Sequence, residues 1–286
     1  MLGSMGADCS GNRQRGFTLI ELSIVLVIIG LIVGGILVGQ NLISAAAVRA
    51  QITQIEKFNT AVNTFRTKYD NYLPGDIIPT EAAQFGLASR TGAAGQGDGN
   101  GIIGGPNSGM LLEIGISAVL GQGGGETGLF WVDLSTASLI EGSFSTATAI
   151  LQPSMTNTTV SLYMPQAKLG TINYIYVYTD GTYNWFGFSG VTKASSGALT
   201  TTASITPLQA YGIDSKIDDG FPASGKVVAQ YLSYARAEAA DLINTAPAAS
   251  PAVSGDCYDS TTTQGAYAVQ IDGGADTACA LSFKFQ

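Results

Sequence analysis

The sequence of 286 residues contains no histidine and only three cysteines. The missing imidazole removes the commonest general base, the Ser-His-Asp arrangement and the commonest transition-metal ligand. The Gly-rich segment 92–109 lacks the lysine and the strand-to-helix setting of a phosphate-binding loop or a dinucleotide fingerprint. We therefore expect a protein that is not an enzyme.

Charged residues are also scarce, at 12% of the chain, and acidic ones outnumber basic ones to give a formal net charge of −8. Basic residues are not clustered, so the bulk surface is unsuited to nucleic acid. The 37 glycines and the mean hydropathy of +0.24 are more typical of an exported β-rich domain than of a cytosolic enzyme.

One long hydrophobic run is present near the N-terminus. Glu21 is the only charged side chain from Phe17 to Gly39, and Arg13 and Arg15 precede the run. At about 1.5 Å per residue a helix of this length spans the ~30 Å hydrocarbon core of a bilayer. The arginines favour retention on the cytoplasmic side. Because a charged side chain at membrane depth is costly, Glu21 is a candidate functional residue.

The residues Gly16-Phe17-Thr18-Leu19-Ile20-Glu21, behind their basic leader, resemble the N-terminal signal of type IV pilins and type II secretion pseudopilins. The resemblance implies that a prepilin peptidase cuts after Gly16 and methylates Phe17. It also implies that Glu21 pairs with the terminal amine of a neighbouring subunit during assembly. An ordinary secretory signal has a shorter apolar core and is cut beyond it. A plain N-terminal membrane anchor is the alternative.

The resemblance further implies a division of the chain. Residues 1–16 are expected to be a cleaved leader, 17–39 a transmembrane and filament-core helix, 40–73 the amphipathic half of that helix, and 74–286 an exported globular domain. Such a precursor crosses the inner membrane once and ends in a periplasmic or cell-surface filament.

Periodicity predicts how the exported part folds. Apolar residues recur at spacings of three and four from Val48 to Tyr72, and Leu73-Pro74-Gly75-Asp76 ends the helix. Alternating aromatic and β-branched residues on both sides of Asp180-Gly181 predict a hairpin. Other predicted strands are 226–231, 266–271 and 281–285, and further predicted helices are 126–140 and 205–218. The prediction is an α+β fold in which a long N-terminal helix packs on an antiparallel sheet, with Gly-rich and helical inserts.

The cysteines fit an exported domain. Cleavage after Gly16 would remove Cys9 and leave Cys257 and Cys279. An even pair in an oxidising compartment indicates a disulfide, which the resemblance also implies, and two free buried thiols are the alternative.

Two acidic segments offer oxygen ligands of the kind that calcium prefers. Asp98 and Asn100 alternate with glycines, but no distal glutamate lies at the spacing of a calcium loop, although Glu113 is near. Asp214, Asp218 and Asp219 lie at the C-terminal end of the predicted helix 205–218 and directly after it. Some pseudopilins bind calcium in C-terminal loops. Turn and helix-capping chemistry is the alternative for each segment.

Two functions therefore remain open. The leading hypothesis is a filament subunit that polymerises with itself or other pilins, after contact with the prepilin peptidase and an inner-membrane assembly machinery. The second is a membrane-tethered adhesin or binding module with a carbohydrate surface made of Tyr174, Tyr176, Tyr178, Tyr183 and Trp185. The same alternation also fits a sheet core. The sequence does not separate a pilus from a secretion pseudopilus.

Overall fold

The computed structural model describes residues 18–106, 120–151, 153–235 and 240–286. It divides the chain into a first unit, Met1–Ala46, and a second unit, Ala47–Gln286. The described residues form four α-helices: α1 (Leu19–Lys68), α2 (Pro79–Gln84), α3 (Gly125–Thr136) and α4 (Pro207–Ile217).

The part of α1 in the first unit exposes its apolar side chains. Every large apolar side chain from Leu19 to Ile43 is at least 50% exposed. An 18-residue window of this helix has a mean hydropathy of 2.9, which by length and composition is sufficient for one membrane crossing.

The second unit is rich in β-structure. Its strands are β1 (Met155–Thr156), β2 (Asn173–Thr179), β3 (Asn184–Ser195), β4 (Ala198–Thr202), β5 (Val227–Val228), β6 (Gln230–Ala235), β7 (Ala240–Thr245), β8 (Ala248–Ala249), β9 (Tyr258–Asp259), β10 (Ala266–Tyr267) and β11 (Leu281–Lys284). The long strand β3 is the centre of the main sheet and pairs antiparallel with β1, β2, β4 and β11, while β5 pairs with the far side of β11. Strands β6 and β7 form a separate hairpin, and β9 pairs parallel with β8 and antiparallel with β10.

The C-terminal part of α1 packs on this sheet. Phe58 is buried, with its ring centroid 5.1 Å from that of Trp131 on α3 and 6.0 Å from that of Phe186 on β3. Buried glutamines fix a loop to the same helix face, because the backbone N–H of Lys168 donates to both Gln51 Oε1 (2.9 Å) and Gln54 Oε1 (3.1 Å). The predicted α+β fold of a long N-terminal helix on antiparallel sheet is confirmed.

The hairpin and several element bounds were predicted correctly. Strands β2 and β3 pair in register on both sides of Asp180-Gly181, and α4 and β11 lie within the predicted ranges 205–218 and 281–285. The predicted strand 226–231 was wrong as one element, because the chain leaves the main sheet at Ala229. Its first part, β5, pairs with β11 and its second part enters the β6–β7 hairpin.

Three other predicted bounds also differ from the structure. The range 266–271 contains only the two-residue strand β10, and a 3₁₀ helix begins at Ile271. Helix α3 ends at Thr136 rather than at residue 140. Helix α1 ends at Lys68, before the proline, because Asp70 and Asn71 adopt positive φ angles of 46° and 69°. The Asn71 N–H donates to the carbonyl of Arg66 at 2.8 Å and closes the last turn.

Candidate functional site

The predicted processing residues Gly16 and Phe17 lie outside the described residues, but the start of α1 is described. The Glu21 carboxylate accepts hydrogen bonds from the Thr18 backbone N–H and the Thr18 hydroxyl, both at 2.8 Å. The Glu21 N–H in turn donates to Thr18 Oγ1 at 3.3 Å. This reciprocal arrangement is a capping box, which satisfies donors that the first helical turn leaves open. Within the single chain, Thr18 therefore hydrogen-bonds the Glu21 carboxylate. The assembly hypothesis pairs the same carboxylate with the terminal amine of a neighbouring subunit.

The exposed apolar residues around Glu21 coincide with a known family signature. The prokaryotic N-terminal methylation motif matches residues 11–37. These residues are the type IV pilin and pseudopilin signal. The methylation motif includes the basic flank at Arg13 and Arg15, the junction Gly16-Phe17 and Glu21. No curated protein and no solved structure is significantly similar to the chain.

The methylation motif and the exposed apolar helix together fit a membrane-anchored, single-pass precursor of a pilin-like subunit. The motif covers only the N-terminal signal and does not extend into the second unit.

The first predicted calcium segment contributes one carboxylate to a larger cluster. Oxygen atoms of Asp76, Asp98 and Glu126 lie within 4.8 Å of one another. Asp76 follows the turn after α1, Asp98 lies in the Gly-rich loop, and Glu126 is in the first turn of α3. Asn100 is a neighbour of this cluster in sequence and contributes no carboxylate to it. Its side chain donates to Asp98 Oδ2 (2.9 Å) and accepts from the Ile102 N–H (2.7 Å).

The Gly-rich loop encloses two of these carboxylates. Glu126 is fully buried and accepts from the N–H groups of Gly97 (3.0 Å) and Gly104 (2.8 Å). Asp76 is 1% exposed and accepts from the N–H groups of Gly99 (2.8 Å) and Gly101 (2.7 Å). Several of these glycines have positive φ angles, including Gly97 at 86°, which a residue with a side chain rarely adopts.

Burial raises the pKa of both enclosed carboxyl groups. Burial, and then the negative charge of Asp76, raise the pKa of Glu126 to about 9. Burial also raises the pKa of Asp76 to about 7, against the lowering effect of the Gly101 and Gly99 N–H groups. Arg90 is the buried cation of this region, and it binds Asp133 rather than the cluster. Close carboxylates that stay in a dry site must take up protons or bind a cation.

The second predicted segment is also assembled. Carboxylate oxygens of Asp214, Asp218 and Asp219 lie within 4.8 Å of one another at the C-terminal end of α4. Each already accepts hydrogen bonds: Asp214 from the Tyr267 hydroxyl (2.8 Å), Asp218 from the Val227 N–H (3.3 Å) and Asp219 from the Phe221 N–H (2.9 Å). Burial raises the pKa of Asp214 to about 7. Two of the three side chains are partly or fully exposed, so this cluster is less dry than the first.

The remaining candidate residues are structural. Cys257 and Cys279 form a disulfide, and both are fully buried. The aromatic surface of the binding-module hypothesis is not formed, because Tyr174, Tyr176, Tyr178 and Trp185 are at most 7% exposed and belong to the core, as the alternative of a sheet core predicts. Only Tyr183 is substantially exposed, and Lys284 Nζ lies 3.5 Å from the centroid of its ring.

Sequence reasoning missed Asp76 and Glu126 as members of the first cluster. Both were visible, Asp76 as the end of a helix-breaking Leu-Pro-Gly-Asp turn and Glu126 as the first acidic residue of a predicted helix. Asp76 and Glu126 are 50 positions apart in the sequence, so only the fold shows that they meet. The distal glutamate considered from the sequence, Glu113, lies outside the described residues.

Proposed function

We propose that the chain is a structural subunit of a type IV pilus or pseudopilus-like filament, with no catalytic role. The precursor is inserted in the inner membrane, cut after Gly16, methylated on Phe17 and assembled with other copies or other pilins. The observation that carries the proposal is the methylation motif at residues 11–37, because it overlaps the part of α1, from Leu19 to Ile43, whose large apolar side chains are all exposed. Exposed apolar surface of this extent requires a lipid or a protein partner.

The position of Glu21 favours a filament over a passive anchor. A membrane anchor needs no carboxylate in its first turn, and the Thr18 capping box compensates for this one only locally. In a filament, the terminal amine of Phe17 on a neighbouring copy supplies the opposite charge. A pair of this kind sets register, because leaving one partner alone in a dry core is costly.

Intact-mass and peptide mass spectrometry of the chain expressed with a prepilin peptidase tests the processing step. The expected mature protein starts at N-methylated Phe17 and lacks Cys9. A Gly16→Leu variant, which keeps the apolar helix, should remain full length in the membrane fraction. A wild-type protein that starts at Met1, or is cut beyond Val38, overturns the proposal.

We also propose that the cluster of Asp76, Asp98 and Glu126 binds calcium. What supports this is the donor set: three carboxylates from separate parts of the chain, two of them buried, with Arg90 committed to Asp133. Calcium accepts six to eight oxygen ligands at 2.3–2.6 Å, and carboxylates and main-chain carbonyls are its usual partners. In this role the ion would link the turn after α1, the Gly-rich loop and α3.

Thermal unfolding in calcium and in a chelator tests this proposal. Binding to the folded state alone stabilises it by about 2.7 kcal/mol when free calcium is 100 times the Kd. The increase in Tm should disappear in Asp98→Asn and persist in Asp272→Asn, a matched change of an exposed aspartate outside the cluster. Equal Tm values with and without calcium, or an undiminished increase in Asp98→Asn, would reject the site.

A further inference from the structure

The Gly-rich loop contains the only Asn-Gly pair in the sequence, Asn100-Gly101. In such a pair the backbone nitrogen of the glycine can attack the side-chain amide carbon of the asparagine and displace ammonia. Glycine has no side chain to hinder the attack. Asn100 is exposed, and Gly101 is half-buried with a φ angle of 84°. The groups that surround this pair therefore decide whether the folded protein suppresses the reaction or accelerates it.

A carboxylate faces the attacking nitrogen. The Gly101 N–H donates to Asp76 Oδ2 at 2.7 Å. The other oxygen, Asp76 Oδ1, accepts from the Gly99 N–H at 2.8 Å, which fixes the orientation of the carboxylate. A base that is positioned within about 2.6–3.2 Å of the group it deprotonates typically contributes about 10²–10⁴-fold to a rate. Asp76 therefore has the geometry of a base for the Gly101 nitrogen.

The amide under attack is also held by hydrogen bonds. The Ile102 N–H donates to Asn100 Oδ1 at 2.7 Å. Negative charge develops on this oxygen during the attack, and a fixed N–H donor stabilises it. The leaving nitrogen, Asn100 Nδ2, donates to Asp98 Oδ2 at 2.9 Å. Because oxygen atoms of Asp76 and Asp98 lie within 4.8 Å of each other, the proton has a short route from the attacking nitrogen to the leaving one.

We propose that the folded Gly-rich loop promotes the deamidation of its own Asn100. The Gly101 nitrogen bonds to Asn100 Cγ and gives up its proton to the Asp76 carboxylate. The Cγ–Nδ2 bond then breaks, and the leaving nitrogen takes up a proton by way of Asp98 and departs as ammonia, so neither carboxylate changes its charge over the step. Water opens the resulting succinimide at either carbonyl and leaves aspartate or isoaspartate in place of Asn100.

This modification goes beyond the proposed filament function and changes the charge of the loop. An amide that donates to Asp98 is replaced by a carboxylate that repels it. Next to the proposed calcium site the new carboxylate would be a further oxygen ligand, and the number of ligand charges tunes calcium affinity. That consequence rests on the proposed calcium site, whereas the reaction itself does not.

A comparison of the folded and the denatured chain tests the proposal. The full-length chain in detergent is incubated with a chelator, with and without urea, at the same pH and temperature. Peptide mass spectrometry follows the loss of the Asn100 amide, and labelling by an isoaspartyl methyltransferase identifies isoaspartate. Asn100 should react at least about tenfold faster in the folded chain than in urea, because only the folded chain positions Asp76.

Two variants make the test specific. Asp76→Asn should lower the folded rate to that of the denatured chain and leave the rate in urea unchanged, with tryptophan fluorescence checking that the variant is folded. Asp272→Asn creates a second Asn-Gly pair, at an exposed position outside the cluster. In this chain the two pairs should react at similar rates in urea, and Asn100 should react much faster in the folded state. This internal comparison tests the proposal even if Asp76→Asn does not fold.

Three results would overturn the inference: a folded rate at Asn100 no higher than the rate in urea, isoaspartate formed at Asp98 instead, or an undiminished rate in folded Asp76→Asn. None of them bears on processing or filament assembly, which are measured separately, so the proposed function would stand. Failure of the filament proposal would likewise leave the deamidation rates unaffected.

Discussion

Arg90 and Asp133 form an ion pair in which both side chains are completely buried, with Arg90 Nη2 2.8 Å from Asp133 Oδ1. Arg90 Nη1 donates to Asp133 Oδ2 (3.1 Å) and to the carbonyl of Gly75 (3.3 Å), while the Gly75 N–H donates to Asp133 Oδ2 (2.7 Å). The pair therefore fastens the turn at Gly75 to α3. That turn carries Asp76, so the same contact positions one carboxylate of the proposed calcium site.

Asp133→Asn should destabilise the second unit by about 3–5 kcal/mol, because it leaves the Arg90 guanidinium buried without a counter-charge. Urea unfolding of the detergent-solubilised chain, followed by tryptophan fluorescence, measures the change. Glu141→Gln, which breaks the exposed pair with Lys57, is the control and should unfold almost as wild type does. A wild-type midpoint for Asp133→Asn would show that the buried pair adds little.

Replacing both Cys257 and Cys279 by serine should cost about 3 kcal/mol, the chain-entropy value for a loop of this size. Their disulfide closes a loop with a sequence separation of 22 residues. Alkylation of the denatured protein gives an independent check. The uncut precursor should take up one label, at Cys9, and the mature protein none. Two labels on the mature protein would mean that the cysteines are free.

Glu21→Ala should leave membrane insertion and cleavage intact and prevent assembly. The substitution makes the helix more apolar, and the peptidase signal lies mainly in Gly16 and its basic leader. Assembly should fail because the terminal amine of a neighbouring copy then has no partner in the filament core. The yield of sheared filaments, measured by immunoblot, reports the effect. Glu56→Ala, an exposed carboxylate on α1 outside the apolar run, should assemble normally, and equal yields for both variants would remove Glu21 from the mechanism.

Local signals in the sequence were sufficient for the larger elements. The apolar run, the three-and-four spacing from Val48 onward and the turn at Asp180-Gly181 each depend on neighbouring residues, and α1 and the β2–β3 hairpin follow from them. The short strands β8 and β9 were not predicted, and the ranges predicted around β5 and β10 were too long, because pairing with distant strands and not local propensity defines these strands.

The same distinction applies to the site. Glu21 and the methylation motif are contiguous in sequence and were predicted, whereas Asp76, Asp98 and Glu126 come together only through long-range packing. The aromatic residues of β2 and β3 were ambiguous for a related reason. Alternation shows that a strand has two faces, but whether both faces are covered depends on α1 and the loops that pack on them.

Electron microscopy of cells that express the chain with a prepilin peptidase and an assembly machinery tests the central claim most directly. Immunogold labelling against residues of the exported domain should decorate fibres along their length, and shearing should release the mature, N-methylated protein with those fibres. If the mature protein instead stays in the membrane fraction and no labelled fibre forms, the chain is a tethered module and the filament account is contradicted.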